Sequence, residues 1–436
     1  MFCDCRNEPH GEEPNIHICP VCLAHPGTLP RVNEEAVNYV LKIGKAVGGK
    51  LATYSEFDRK NYFYPDIPKA YQISQYAYPF VSGGNYAGVE LTRIHLEEDT
   101  ARSQHSGEHS IVDFNRAGVP LMELVTEPVI HDASSAVHFA KELQLLLRTL
   151  EISDANMELG EMRVEANISV SETDTLGTKV EVKNLNSFKA VEQAIEYEIN
   201  RQINEPNIVS ETRGWDEQKS RTFSQRSKET AEDYRYFPDP DIPKYDLDNS
   251  RVSEIKVKLP QEIRAELESW SIRDNQIENF LYEPELRDFF YATVNYLDNT
   301  EAKKLAANYL TSDVLGLLES NSLDLNNAPQ FAKLITMANT GTINSRIAKD
   351  LLKEAVFDGL NPEKLATERN LLQSNDTEAL LPIVQAIIAA NPTVVADYQA
   401  GKESAIQYLV GQGMKETKGS ANPTTLKEIL EGELGK

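Results

Sequence analysis

The sequence predicts an α+β domain followed by an all-α region, and three observations carry that prediction. Segments with strict apolar–polar alternation, such as "EMRVEANISV" (Glu161–Val170), mark half-buried strands. Between them lie amphipathic stretches of helical period with their own start and stop signals. After about Pro260 the strand patterns end, and helical stretches follow, broken by "DNT", "NNAP", "ANTGTINS", "DGLNP" and "AANP". A weaker break lies near Arg369. The expected division is therefore residues 1–258, 259–369 and 370–436.

In chain order, the four cysteines come first: Cys3, Cys5, Cys19 and Cys22, a C-x-C and a C-x-x-C thirteen residues apart. Two disulfides are one reading, disfavoured in a reducing cytosol. A four-thiolate structural zinc site suits two close pairs joined by a loop, and Pro20 favours the tight turn of such a knuckle. "NEEAVNYVLKIGKAVGG" reads as a helix with Asn33 as cap, Glu34 and Glu35 at its positive end, and Gly48 and Gly49 as its stop. Gly44–Lys50 fits G-x-x-x-x-G-K, but Leu51 stands where a P-loop needs Ser or Thr, and the glycines end a helix. Tyr- and Pro-rich strands and loops follow over Phe57–Tyr76, then strands around "GVELTRIHLEED" and "GVPLMELVTEP". "DASSAVHFAKELQLLLRTL" is a second helix, capped by Asp132, with Val137, Ala140, Leu143, Leu147 and Leu150 on one face. The strand at 161–170 carries Arg163, Glu165, Asn167 and Ser169 on its polar face; "TKVEVKN" carries Lys179, Glu181 and Lys183. "SFKAVEQAIEYEINRQI" is a third helix and "ETRGWDEQKSRTFSQR" a polar hairpin.

A net charge of −24 argues against wholesale coating of nucleic acid, without excluding a local basic patch. No run of about 18 apolar residues suggests a membrane span, and the N-terminus has no signal pattern, so a cytoplasmic location is the default expectation.

Chemistry is expected where carboxylates sit on strands. "HLEED" offers Glu97, Glu98 and Asp99 beside His95, although a solvated turn would carry the same residues. Glu123 lies between Met122 and Leu124, and a carboxylate in apolar surroundings wants a metal, an Arg or a proton. Magnesium held by one or two carboxylates, its waters and a nucleotide's phosphates fits these residue types. Arg163, Lys179 and Lys183 then neutralise phosphate oxygens. The Tyr-rich segment, with Arg59, Lys60 and Lys69 among its rings, reads equally as a grip on a single-stranded nucleic-acid end or as an aromatic core with snorkelling lysines. Asp233 and Arg235 read as a pair beneath a Tyr-Pro turn. Lys402, Lys415 and Lys418 form a local basic surface near the C-terminus.

These stretches carry a resemblance. "FDRKNYFYPDIPKAYQISQ", "TRIHLEEDTARS", "VDFNRAGVPLMELVTEP", "GEMRVEANISV", "TKVEVKNLNSF", "ETRGWDE", "DYRYFPDPDIP" and "LVGQGMK", spread in order over nearly the whole chain, resemble the B-subunit family of the aspartyl/glutamyl-tRNA amidotransferases (GatB/GatE). The resemblance implies a glutamine-synthetase-like cradle domain with an antiparallel sheet, an all-α helical domain and a small YqeY-like helical tail that holds tRNA. It implies ATP- and magnesium-dependent phosphorylation of Glu or Asp mischarged on Glu-tRNA(Gln) or Asp-tRNA(Asn). Amidation would follow, by ammonia from the amidase (A) subunit, with the small (C) subunit holding the assembly together. Carried over by motif, Glu98 and Glu123 become the magnesium carboxylates. Lys60 and Lys69 lie on the ammonia path, and Arg163, Glu165 and Asn167 lie in the kinase site. Cys3, Cys5, Cys19 and Cys22 become the zinc knuckle. Family members begin with a further G-x-E-x-H-like strand that helps build the metal site. Its absence here raises two expectations: an impaired kinase step, and as the alternative a catalytically idle tRNA-binding scaffold.

Overall fold

A computed structural model describes residues 1–8, 11–227, 234–247, 258–373, 377–417 and 421–435. Asp233 and Lys418 lie outside the described residues. The chain forms two compact units, Met1–Pro260 and Gln261–Lys436. The expected break near 369 falls inside the second unit.

The first unit opens with the cysteine loops, and α1 (Glu34–Ala46) follows, capped as expected by the Asn33 side chain. Its glycine stop is steric as well as conformational. Gly48 sits at φ +68°, and a Cβ on Gly49 would meet Val81 Cγ1 at 2.5 Å. Short strands β1 (Lys50–Leu51), β2 (Tyr54–Ser55), β3 (Asp58–Asn61), β4 (Tyr71–Ser74), β5 (Val81–Ser82) and β6 (Asn85–Tyr86) lead into the long β7 (Val89–Glu98). A hairpin, β8 (Arg102–Ser106) with β9 (His109–Asp113), precedes β10 (Pro120–Thr126). The main sheet has the order β1-β5-β7-β10, with β6 also on β7, all antiparallel. Phe57, Phe80, Ile94 and Leu96 form the core beneath it, with Val40 and Ile43 of α1.

Helix α2 (Ala133–Thr149) has Asp132 as its cap, accepting from Ser135 N. It serves two cores. Phe139, Leu146 and Leu150 pack under the first sheet, and Ala133 and Ala140 pack against a second. That second sheet, β11 (Val164–Ile168), β12 (Val180–Leu185), β13 (Glu211–Asp216) and β14 (Arg221–Ser227), has the order β11-β12-β13-β14. The expectation of an antiparallel sheet needs one correction here: β12 and β13 run parallel. Helix α3 (Phe188–Asn204) carries the chain back over the sheet between them, the crossover a parallel pair requires. Ile168, Val182, Val191 and Trp215 fill the space between α2, α3 and this sheet. Two short returning strands, β15 (Phe237–Pro238) on β3 and β16 (Tyr245–Asp246) on β2, close the unit.

The second unit is helical. Phe280, Phe289, Phe290 and Phe331 are fully buried, and the Phe280 and Phe290 rings stack at 4.6 Å. Its last four helices, from Thr377 to Leu434, own a core of Leu380, Val384, Leu409 and Leu430. Gln373 N donating to Thr342 O at 2.8 Å, and Asn422 Nδ2 to Gly341 O at 3.2 Å, tie this segment to the preceding helices. Among the described residues no single helix is long and apolar enough to cross a membrane.

Candidate active site and metal centres

The four cysteine sulfurs lie within 4.8 Å of one another. Cys22 Sγ is 3.3 Å from Cys3, 3.6 Å from Cys19 and 3.6 Å from Cys5. Four thiolates on one zinc ion sit about 3.8 Å apart, so the cluster fits a tetrahedral ion with little adjustment. The turn at Pro20 is held by Leu23 N donating to Cys19 O at 3.1 Å. All four cysteines are free thiols. The Cys22 thiol, donating to Cys3, brings the Cys3 pKa down to about 5, whereas burial pushes Cys5 up to about 11. The cluster thus favours one thiolate on its own and accommodates more only beside a cation.

The second cluster is built by strand register. β10 pairs with β7 so that Glu123 lies opposite His95 and Leu121 opposite Glu97. The pleat sends Arg93, His95, Glu97 and Glu123 to one face. Ligand atoms of His95, Glu97 and Glu123 lie within 4.8 Å of one another. Ser74 Oγ donates to Glu97 Oε2 at 2.9 Å, His95 Nε2 is 3.5 Å from that same oxygen, and Arg93 Nη2 is 4.0 Å from Glu123 Oε1. His95 is 3% exposed and Glu97 7%, whereas the Glu123 side chain is 47% exposed, so the group leads from the interior to solvent. Burial opposes ionisation of Glu97, yet His95, Lys60 and Ser74 outweigh it and hold the carboxyl below its ordinary value. His95 Nδ1 is buried without a hydrogen-bond partner. Ligands of one hard cation at 2.0–2.1 Å lie up to about 4.2 Å apart. Small rotamer changes therefore let these three side chains hold one ion.

The second sheet supplies the facing wall. Lys183 Nζ bridges Glu165 at 3.0 Å and Glu181 at 3.6 Å. Desolvation raises the Glu165 pKa, and Glu181 and Glu123 add to the effect while Lys183 opposes it, so the polar row of β11 lies in the field of Glu123. Aromatic rings form a further wall. Lys60 Nζ lies 4.7 Å from the Tyr234 ring centroid, Tyr62 packs edge-on against Tyr234, and Tyr236 stacks on Tyr76 at 4.5 Å. Burial, reinforced by Glu97, raises the phenol pKa of both Tyr62 and Tyr236.

Residues 1–253 match the GatB/GatE catalytic domain, and residues 288–434 match the GatB domain of the same family. The chain belongs to the GatB/GatE family. It is 40% identical over 464 residues to the B subunit of the aspartyl/glutamyl-tRNA(Asn/Gln) amidotransferase of Carboxydothermus hydrogenoformans, covering 100% of this chain and 95% of the relative. The protein of that name from Caldanaerobacter subterraneus is 41% identical over 460 residues, covering 100% and 96%. That from Gloeothece citriformis is 39% identical over 471 residues, covering 100% and 94%.

Within this GatB/GatE chain, the expected pairing of Glu98 with Glu123 is corrected. Glu98 is one residue past Glu97, and a strand turns successive side chains to opposite faces. It is 4% exposed; its Oε2 accepts from Lys69 Nζ at 2.6 Å and its Oε1 from Ile73 N at 2.8 Å. Glu98 and Lys69 line a cavity of about 170 Å³ together with Cys3 and Cys22. "HLEED" is no solvated turn, since all of His95, Glu97, Glu98 and Asp99 are buried. Arg163 pairs with Asp99 rather than with the metal-capable group. Asn167 is exposed on β11, and Lys179 is exposed just before β12. Lys60 does reach the cluster, through its field on Glu97. Near the C-terminus, Lys402 is paired with Asp397 at 3.1 Å, and Lys415 is exposed. The sequence pointed to Glu97 and His95 within "HLEED" without singling them out as ligands, and gave no reason to pick Arg93 or Ser74. The i, i+2 spacing of His95 and Glu97 was the signal that could have singled them out.

Proposed function

We propose that this chain is the B subunit of an aspartyl/glutamyl-tRNA(Asn/Gln) amidotransferase, an ATP-dependent carbon–nitrogen ligase acting with the amidase (A) subunit and the small (C) subunit of such an enzyme. It would activate the side-chain carboxylate of Glu or Asp mischarged on tRNA and amidate it with ammonia. The observation that carries this reading is the His95–Glu97–Glu123 group, which faces the Glu165–Lys183–Glu181 row and an aromatic wall. Relatives aligned over 100% of the chain bear the amidotransferase name, which favours this reading over an idle scaffold.

Two carboxylates suit Mg²⁺, with the imidazole completing the protein's share of ligands. When bound, the ion would draw charge from the phosphates of ATP, whose γ-phosphoryl gives the carboxylate a leaving group. Lys60, held over Tyr234 beside Glu97, places positive charge where phosphate oxygens gather. Arg163 and Lys183 add positive charge at the margin, and Asn167 and Lys179 remain open to the nucleotide. Tyr62, Tyr234 and Tyr236 keep water from the acyl phosphate until ammonia arrives past Lys69 and Lys60. The cysteine cluster would hold a structural Zn²⁺, since four thiolates leave no open position.

The test is co-expression with the amidase and the small third subunit, scoring Asn-tRNA and Gln-tRNA formed from the mischarged species with ATP and Mg²⁺. The proposal expects product from the native chain and at least 100-fold less from Glu123→Gln, with glutamine hydrolysis by the amidase retained. Equal product from both chains would overturn it.

A further inference from the structure

The aromatic wall has one member that its structural role does not account for. Tyr236 and Tyr76 stack at 4.5 Å with planes only 13° apart. Of the pair, Tyr76 stands outermost and is 52% exposed, although one of its faces is already covered by Tyr236. Its backbone is fixed: Tyr76 N donates to Asp58 Oδ2 at 2.8 Å, and the buried Gln75 Nε2 donates to Ser55 Oγ at 2.5 Å. Tyr76 also lies two residues beyond Ser74, whose hydroxyl holds Glu97. Tyr236, on which it stacks, lies in the field of Glu97 and Glu123, so the pair sits beside the carboxylates. The open ring is therefore within reach of any molecule whose reactive phosphate or ester sits at the carboxylates.

We propose that the free face of Tyr76 is a stacking seat for an adenine ring. This rests on the ATP- and tRNA-dependent reading above and adds to it the element that binds the base. Two adenines could bring that ring, the one in ATP and the one that ends the tRNA acceptor strand. A nucleobase is flat and polarisable, so it continues the Tyr236–Tyr76 stack as a third layer. Base–aromatic stacking is tolerant of base identity, because every base offers a flat π-face. The seat should therefore tolerate another purine in place of adenine.

The experiment measures binding of two probes to the assembled complex: ATP with Mg²⁺, and deacylated tRNA with or without its terminal nucleotide. Variants Tyr76→Ala, Tyr76→Phe and Tyr76→Trp are compared with the native chain. Stacking of one base on one ring predicts that Tyr76→Ala weakens one probe by roughly 5- to 150-fold. Tyr76→Phe should bind as the native chain does, and Tyr76→Trp more tightly. The Trp arm guards against Tyr236 taking over the platform in the Ala variant. Loss confined to ATP assigns the seat to ATP; loss confined to intact tRNA assigns it to the terminal adenosine. If the native complex binds both probes and neither Tyr76→Ala nor Tyr76→Trp changes either affinity, the seat is refuted while the function stands. If the native complex binds neither probe, both fall.

Discussion

Glu97 and Glu98 are neighbours in sequence with opposite duties, and paired substitutions separate them. Glu98→Gln removes the charge that faces Lys69 Nζ at 2.6 Å, in a pair where Glu98 is 5% and Lys69 17% exposed. The amide can still accept from Ile73 N, so the main loss is the ammonium's counter-charge. Breaking a buried pair costs about 3–5 kcal/mol. Partial exposure of Lys69 places this one near the lower end, at about 3 kcal/mol. For a unit of this size each kcal/mol moves Tm by roughly 2–4 °C, which predicts a fall of about 6–12 °C. Glu97→Gln keeps an oxygen for Ser74 but gives up the favourable field of His95 and Lys60, so its Tm should fall modestly, by less than that of Glu98→Gln. It removes a proposed metal ligand instead. Metal affinity should fall by more than the roughly 10–100-fold that losing a ligand's hydrogen-bond partner costs. The assays are calorimetric melting of the purified chain and magnesium titration of ATP-dependent product formation. If Glu98→Gln abolished the metal dependence with unchanged Tm while Glu97→Gln left it intact, the face assignment would be reversed and the reasoning refuted.

In the metal-free chain at pH 7, iodoacetamide should label Cys3 first, because its pKa near 5 makes it the thiolate, and Cys5, near 11, should lag; zinc should protect both, as peptide mass mapping would reveal. The folded pKa of Glu97 lies below its unfolded value near 4.5, so its ionisation contributes stability above that pH, lost as pH falls through the folded value. The native chain should accordingly lose more Tm below pH 4.5 than Glu97→Gln does. Glu198 is fully buried on α3, pairs with Arg201 one turn along at 2.6 Å and accepts from Thr222 Oγ1 of β14 at 3.1 Å, so Glu198→Ala should destabilise the first unit by about 3–5 kcal/mol, measurable by urea unfolding. Gly49→Ala should cost about 1–3 kcal/mol through its clash with Val81.

How far residues alone could lead differs between fold and site, and for a physical reason. Helices α1 and α2 were legible with their caps Asn33 and Asp132, and α3 by its period alone, because helical period and capping are local signals. The β8–β9 hairpin was not, because His109, Ser110 and Ile111 are all exposed and no buried face imposes an alternation. The parallel β12–β13 pair was hidden for a different reason: strand direction is set by where α3 returns the chain, which is not written in either strand. For the site, one step lay beyond the residues themselves. Choosing among Glu97, Glu98 and Asp99 requires knowing which of them shares a face with Glu123, and that depends on the β7–β10 register. Alternation within "LTRIHLEED" could have narrowed the choice. Leu91 and Leu96 are in the core, yet they have opposite parity, so the apolar pattern contradicts itself along the strand. A register shift between Val125 and Thr126, opposite Arg93 and Leu91, resolves that contradiction. It puts Ile94, Leu96 and Glu98 on one parity and Arg93, His95 and Glu97 on the other. The irregularity that obscured the site in sequence is thus the feature that lets one long strand bury leucines on both parities and still present three polar side chains in a row to the cleft.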